Sequence, residues 1–129
     1  KMSKHSRQLC SFVYLALAVA MSQSSAFAAD FPVGSYVAHK GITLTFDDKG
    51  QFRVLDGKTT QVTGNYRVKA DQLELTDTGG PWACTKNGEQ TGTYSWKYDH
   101  SVLTLTKVAD LCNDRSGTLT PATWQAKSP

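Results

Sequence analysis

Histidine and cysteine are scarce in this 129-residue chain, with three of each. No two cysteines stand in a CXXC spacing and no histidines cluster beside them, so the usual zinc and dithiol redox arrangements lack their ligands. Nucleophilic catalysis needs a base within hydrogen-bond reach of the nucleophile and a third group to orient it. His39 falls at the end of a first expected strand and His100 follows Asp99 in an expected hairpin turn, so neither forms such a set. The acidic pairs Asp47 with Asp48 and Asp110 with Asp114 read as solvated turn carboxylates, and their spacing does not match a calcium loop. The expectation is a protein that is not an enzyme, with no cofactor and no metal.

A long apolar run is also missing. The longest, Phe12 to Met21, is too short for a membrane span. It follows a basic head of Lys1, Lys4 and Arg7 and precedes Ala26-Phe27-Ala28, whose small residues stand where a signal peptidase reads. Residues 1–28 are therefore expected to be a secretory signal peptide, cleaved before Ala29 and carrying Cys10 away. Residues 29–129 then form one domain, periplasmic or secreted, without a membrane span. The chain has 14 basic and 11 acidic residues; three of the basic ones leave with the leader, so the mature part holds 11 of each and is neutral. A nucleic-acid binder needs clustered Lys and Arg to displace counterions, and here they are scattered singly, so no nucleic acid is expected as a partner.

Strong helical periodicity is absent, whereas a short phrase recurs: Gly34-Ser35-Tyr36, Gly64-Asn65-Tyr66 and Gly92-Thr93-Tyr94. Each opens a run of alternating apolar and polar residues, and further alternating runs follow, such as Ile42 to Phe46, Leu73-Glu74-Leu75 and Leu103-Thr104-Leu105. Period two marks a strand with one buried face. Turn signals such as Asp47-Asp48-Lys49-Gly50, Asp56-Gly57 and Gly79-Gly80-Pro81 arrive every eight to twelve residues or so, the rhythm of an all-β domain. Strands are expected near 34–39, 41–47, 51–55, 61–69, 72–77, 82–86, 90–98, 101–108 and 117–124, with one helical turn or a loop over 109–116. The fold class is all-β: an antiparallel meander of about eight strands closed as a small barrel, which is just wide enough either to be filled by side chains or to hold one small ligand.

Cys84 and Cys112 remain in the mature part, and a small exported domain pairs such cysteines by default. The bridge would tie the 109–116 connection to the strand expected near Cys84. Tyr and Trp have an apolar body and a polar tip, suited to a core edge or to the mouth of a ligand site. Tyr36, Tyr66, Tyr94 and Trp96 are the candidate mouth. Trp82, beside the rigid Gly79-Gly80-Pro81 turn, is the candidate anchor for a protein partner. Arg115, next to the cysteine and ahead of the last strand, is expected to play a structural part over an aromatic ring at the barrel base.

The Gly-X-aromatic opening, the meander of about eight strands and the Arg before the last one resemble the lipocalin-like, or calycin, barrels, with Tyr where lipocalins carry Trp. Gly92 to Trp96, Leu103 to Leu105 and Asp110 to Arg115 are also similar to small secreted bacterial proteins of unassigned activity. The lipocalin resemblance implies that Tyr36 and Arg115 pair as ring and guanidinium to close the barrel base. The expected function is binding of a small apolar ligand in the barrel mouth by a monomer. The alternative is a protein-interaction module such as the periplasmic protease or lysozyme inhibitors, which resemble this chain in size, export signal and single disulfide.

Overall fold

The computed structural model describes residues 30–120 and 122–128; the leader expected over 1–28 lies outside them. Among the described residues the strands are β1 Gly34–Val37, β2 Ile42–Phe46, β3 Gln51–Asp56, β4 Thr59–Lys69, β5 Gln72–Gly79, β6 Thr91–Asp99, β7 Val102–Ala109 and β8 Thr123–Ala126, with one α-helix, α1, over Asn113–Leu119 and a 3-10 turn over His39–Gly41. Each strand pairs antiparallel with its neighbour in the chain, and β8 returns to β1 to close the barrel. The expected all-β, eight-stranded closed barrel is the observed one, and Cys84 and Cys112 form its disulfide.

Alternation places the core. In β3 Phe52 and Val54 are buried while Gln51 and Arg53 are exposed; in β5 Leu73 and Leu75 are buried, in β7 Leu103 and Leu105. These join Tyr36, Leu44, Phe46, Val62, Tyr94, Leu119 and Trp124 in one cluster. Gly64 occupies an inward position of β4 between Val62 and Tyr66. A Cβ there would overlap the Phe52 ring, 2.6 Å from its Cζ, so the missing side chain is what admits the large one.

Two expected strands are corrected. Residues 82–86 form no strand: after Gly80-Pro81 the Trp82 N–H donates to Gln61 O (3.0 Å). The Cys84 N–H donates to the Asp77 carboxylate, and Cys84 itself is bonded to Cys112. Its backbone donor is thus spent on a side chain rather than on a ladder. The span 117–124 divides into the end of α1 and the start of β8. Helix α1 begins at Cys112, whose Sγ accepts the Arg115 N–H (3.4 Å) in the place where a Ser or Asp oxygen usually caps. It ends with Leu119 O accepting the Trp124 indole N–H (3.2 Å).

Candidate functional site

The barrel has two unlike ends. The β2–β3, β4–β5 and β6–β7 turns lie at the end where the chain enters β1; the other end gathers the remaining connections, including residues 80–90 and α1. At the first end Phe31 lies among Phe46 and two of the expected mouth residues, Tyr66 and Trp96. Its ring centroid is 4.9 Å from Phe46, 5.6 Å from Tyr66 and 5.2 Å from Trp96. The Tyr36 hydroxyl donates to Pro32 O and the Tyr66 hydroxyl to Asp47 O, while the Trp96 indole N–H donates to Ala70 O (3.2 Å). Burial first, and neighbouring Tyr98 second, push the Tyr36 hydroxyl up to about 12. Burial, then Asp47 and Asp48, raise Tyr66. The chain's own Phe31 and these tethers fill the mouth that the alternation outlined.

Tyr94 does not join them. Its ring is buried and its hydroxyl donates to Asp110 Oδ2, at the start of the connection that carries α1. Nor does Arg115 meet Tyr36, as the lipocalin resemblance implied. Tyr36 packs edge-on to Phe46 and Tyr98, whereas the Arg115 guanidinium is spent at the other end. Its Nε donates to Asp110 Oδ2 (2.7 Å) and its Nη2 to Asp110 Oδ1 (2.7 Å) and Glu89 O (2.8 Å). Nη1 donates to Gln90 O (2.9 Å). The physical reason is Gly92: with no Cβ at this inward position, the Asp110 carboxyl settles directly over β6, where an added Cβ would lie 2.6 Å from Asp110 Cγ and 3.0 Å from Arg115 Nε. Burial opposes the charge on Asp110, but Arg115, the Tyr94 hydroxyl and the Cys112 N–H outweigh it and hold the carboxyl below its ordinary value. Arg115 is likewise held protonated by Asp110 and Asp77 against its burial, and Tyr94 is raised by burial and by Asp110.

Beside this cluster lies a cavity of about 450 Å³. Phe52, Val54 and Val62 face it from inside the barrel, Leu119, Thr118, Arg115 and Asp114 from α1, and Pro81, Trp82 and Ala83 from the β5–β6 connection. Asp77 also lines it. That residue continues the inward row Leu73, Leu75 in β5, and its side chain is only 2% exposed. Oδ2 accepts the Cys84 N–H (2.8 Å). Oδ1 stands 3.3 Å from Arg115 Nη1, close enough for charge attraction but outside hydrogen-bond alignment, and among the described residues no donor bonds to it. A buried acceptor left without a partner costs about 1–3 kcal/mol.

Asp77 is the site residue that sequence reasoning missed. The signal was available, because the period of two that puts Leu73 and Leu75 inside puts Asp77 inside as well. Trp82, picked out for a partner, is 44% exposed and forms part of the cavity wall. Among the described residues no group of three or more His, Cys, Asp or Glu is placed to hold a metal ion, and no helix is long and apolar enough to cross a membrane. Comparison with protein-family models, with curated proteins and with solved structures finds no match to this chain.

Proposed function

We propose that the protein is an exported, monomeric barrel that binds one small, mainly apolar molecule, and that it does so in the cavity under α1 rather than in the mouth occupied by Phe31. The observation that carries this is the cavity itself: its floor and walls are the apolar Phe52, Val54, Val62 and Leu119, and its volume lies in the range of small-molecule sites. The lipocalin-like closure supports the same use of the fold, one ligand in one barrel. Titration with the neutral fluorophore N-phenyl-1-naphthylamine tests it. Saturable one-to-one enhancement is expected, with quenching of Trp82 emission. Val62→Phe, which fills the cavity, and Thr118→Trp, which narrows it from the exposed side of α1, should each weaken binding at least about ten-fold. No saturable binding, or binding indifferent to both substitutions, defeats the proposal. Export is tested separately by the N-terminus of protein recovered from outside the cytoplasm, expected at Ala29.

A second reading, the protein-interaction module, rests on Trp82 and on Leu111, which is 72% exposed next to Cys112 in the chain. It places the Trp82 ring in a partner's pocket. Inhibition of a chymotrypsin-type protease or of lysozyme that disappears in Trp82→Ala would support it, and the absence of inhibition by the wild type removes it.

A further inference from the structure

We infer that the molecule held in this cavity carries a protonated amine, and that Asp77 is the group that selects it. This rests on the cavity being a ligand site and adds the chemical class. Two carboxyl groups line the cavity, Asp77 and Asp114, against one guanidinium, Arg115. Arg115 is one cation between two buried carboxyl groups, bonded to Asp110 and within ion-pair range of Asp77. Asp110 grips it through two hydrogen bonds, and the carbonyls of Glu89 and Gln90 take two more of its N–H groups. Asp110 is satisfied in turn by Arg115, Tyr94 and the Cys112 N–H. The lining therefore carries more carboxyl groups than cations, and among the described residues Asp77 Oδ1, though 3.3 Å from Arg115 Nη1, is a buried side-chain acceptor that no donor hydrogen-bonds.

An anionic ligand would meet two carboxyl groups and a guanidinium with little left to donate. A neutral alcohol would supply one hydrogen bond to the carboxylate and no opposite charge. An ammonium group supplies the donor and the opposite charge together, so an ion-pair attraction adds to the hydrogen bond. The apolar walls strengthen the attraction by excluding water. Moving an ammonium out of water is costly and is offset only where the counter-charge is close and aligned, a condition that Asp77, fixed through Oδ2 on the Cys84 N–H, is built to meet. Trp82 at the rim adds a ring face on which a cation is attracted.

The test uses three probes of one chain length, 1-hexylamine, 1-hexanol and hexanoate, titrated calorimetrically and by displacement of N-phenyl-1-naphthylamine at neutral pH. Hexylamine is expected to bind about ten-fold tighter than hexanol or more, and hexanoate weakest. Asp77→Asn, isosteric and still able to accept the Cys84 N–H, should bring the amine-to-alcohol ratio towards one. Equal binding of amine and alcohol to the wild type overturns the amine assignment and leaves the cavity site standing. Tighter binding of hexanoate overturns it in favour of recognition by Arg115. If the fluorophore itself does not bind saturably, the cavity reading fails and this one with it; if it binds and none of the three displaces it, the amine assignment alone is overturned. The wild-type comparison decides the matter even where Asp77→Asn does not fold.

Discussion

Asp77 and Asp110 are buried carboxyl groups that share one guanidinium, and they differ in how completely they are satisfied. Asp110 accepts from Arg115 Nε and Nη2, from the Tyr94 hydroxyl and from the Cys112 N–H. Removing any one donor leaves a buried charge short of a partner, so Tyr94→Phe should cost about 2 kcal/mol, or about 10 °C in melting temperature for a domain of this size. A fall of less than two or three degrees in calorimetry would mean that the hydroxyl contributes little. Asp110 also sets a pH dependence with a definite sign. Its pKa is held below the ordinary 3.8. A carboxyl lowered on folding adds stability that is complete above the unfolded value and is lost as pH falls through the folded one. The melting-temperature gap between wild type and Asp110→Asn should therefore be full at pH 6 and shrink once the pH passes below 3.8. A gap of constant size down to acid unfolding would contradict this.

The elements show why some of the structure was legible in the sequence and some was not. Strands such as β3 and β7 declare themselves, because each side chain faces either the core or water and the alternation records which. Helix α1 does not: Asn-Asp-Arg-Ser-Gly-Thr-Leu has no apolar period, and the helix is held from outside by the Cys112 cap, the buried Arg115 and the Trp124 indole. Asp77 was hidden for the opposite reason, a polar residue in an apolar register. Because the disulfide joins the cap of α1 to the β5–β6 connection, Cys84→Ser should loosen both. The loss is expected near 3 kcal/mol in the chain-entropy account, more than about ten degrees of melting temperature. A reduced and alkylated protein that melts with the oxidised one would refute it. The β6–β7 turn offers a gain instead. His100 (φ 49°) and Ser101 (φ 65°) both sit in the left-handed region, where hairpins favour Asn-Gly. His100→Asn combined with Ser101→Gly should stabilise by about 1 kcal/mol, seen as a melting temperature a few degrees higher. The contact of His100 Nδ1 with Asp99 Oδ1 is exposed, and its loss should offset little of that.

At the scale of the whole molecule the closed sheet distributes its pairing unevenly. β4 and β5 align seven residue pairs, whereas the closing contact of β1 with β8 aligns two, Tyr36 with Ala126 and Val37 with Gln125. Just beyond it the Lys127 N–H donates to Ser35 O (2.8 Å), so the first and last strands leave the barrel side by side. The order in which the chain visits its strands is then a convention rather than a structural need. A circular permutant that joins Lys127 to Phe31 through a flexible linker of about six residues, and opens instead at the exposed β3–β4 turn between Gly57 and Lys58, should fold to the same barrel. It should keep the disulfide and the binding of N-phenyl-1-naphthylamine. Failure to fold would show that β1 must be laid down first. Success would turn the two-pair closure into a covalent hairpin, and the weakest junction of the cylinder would move to a place where the strands, once cut, still hold each other by six aligned pairs.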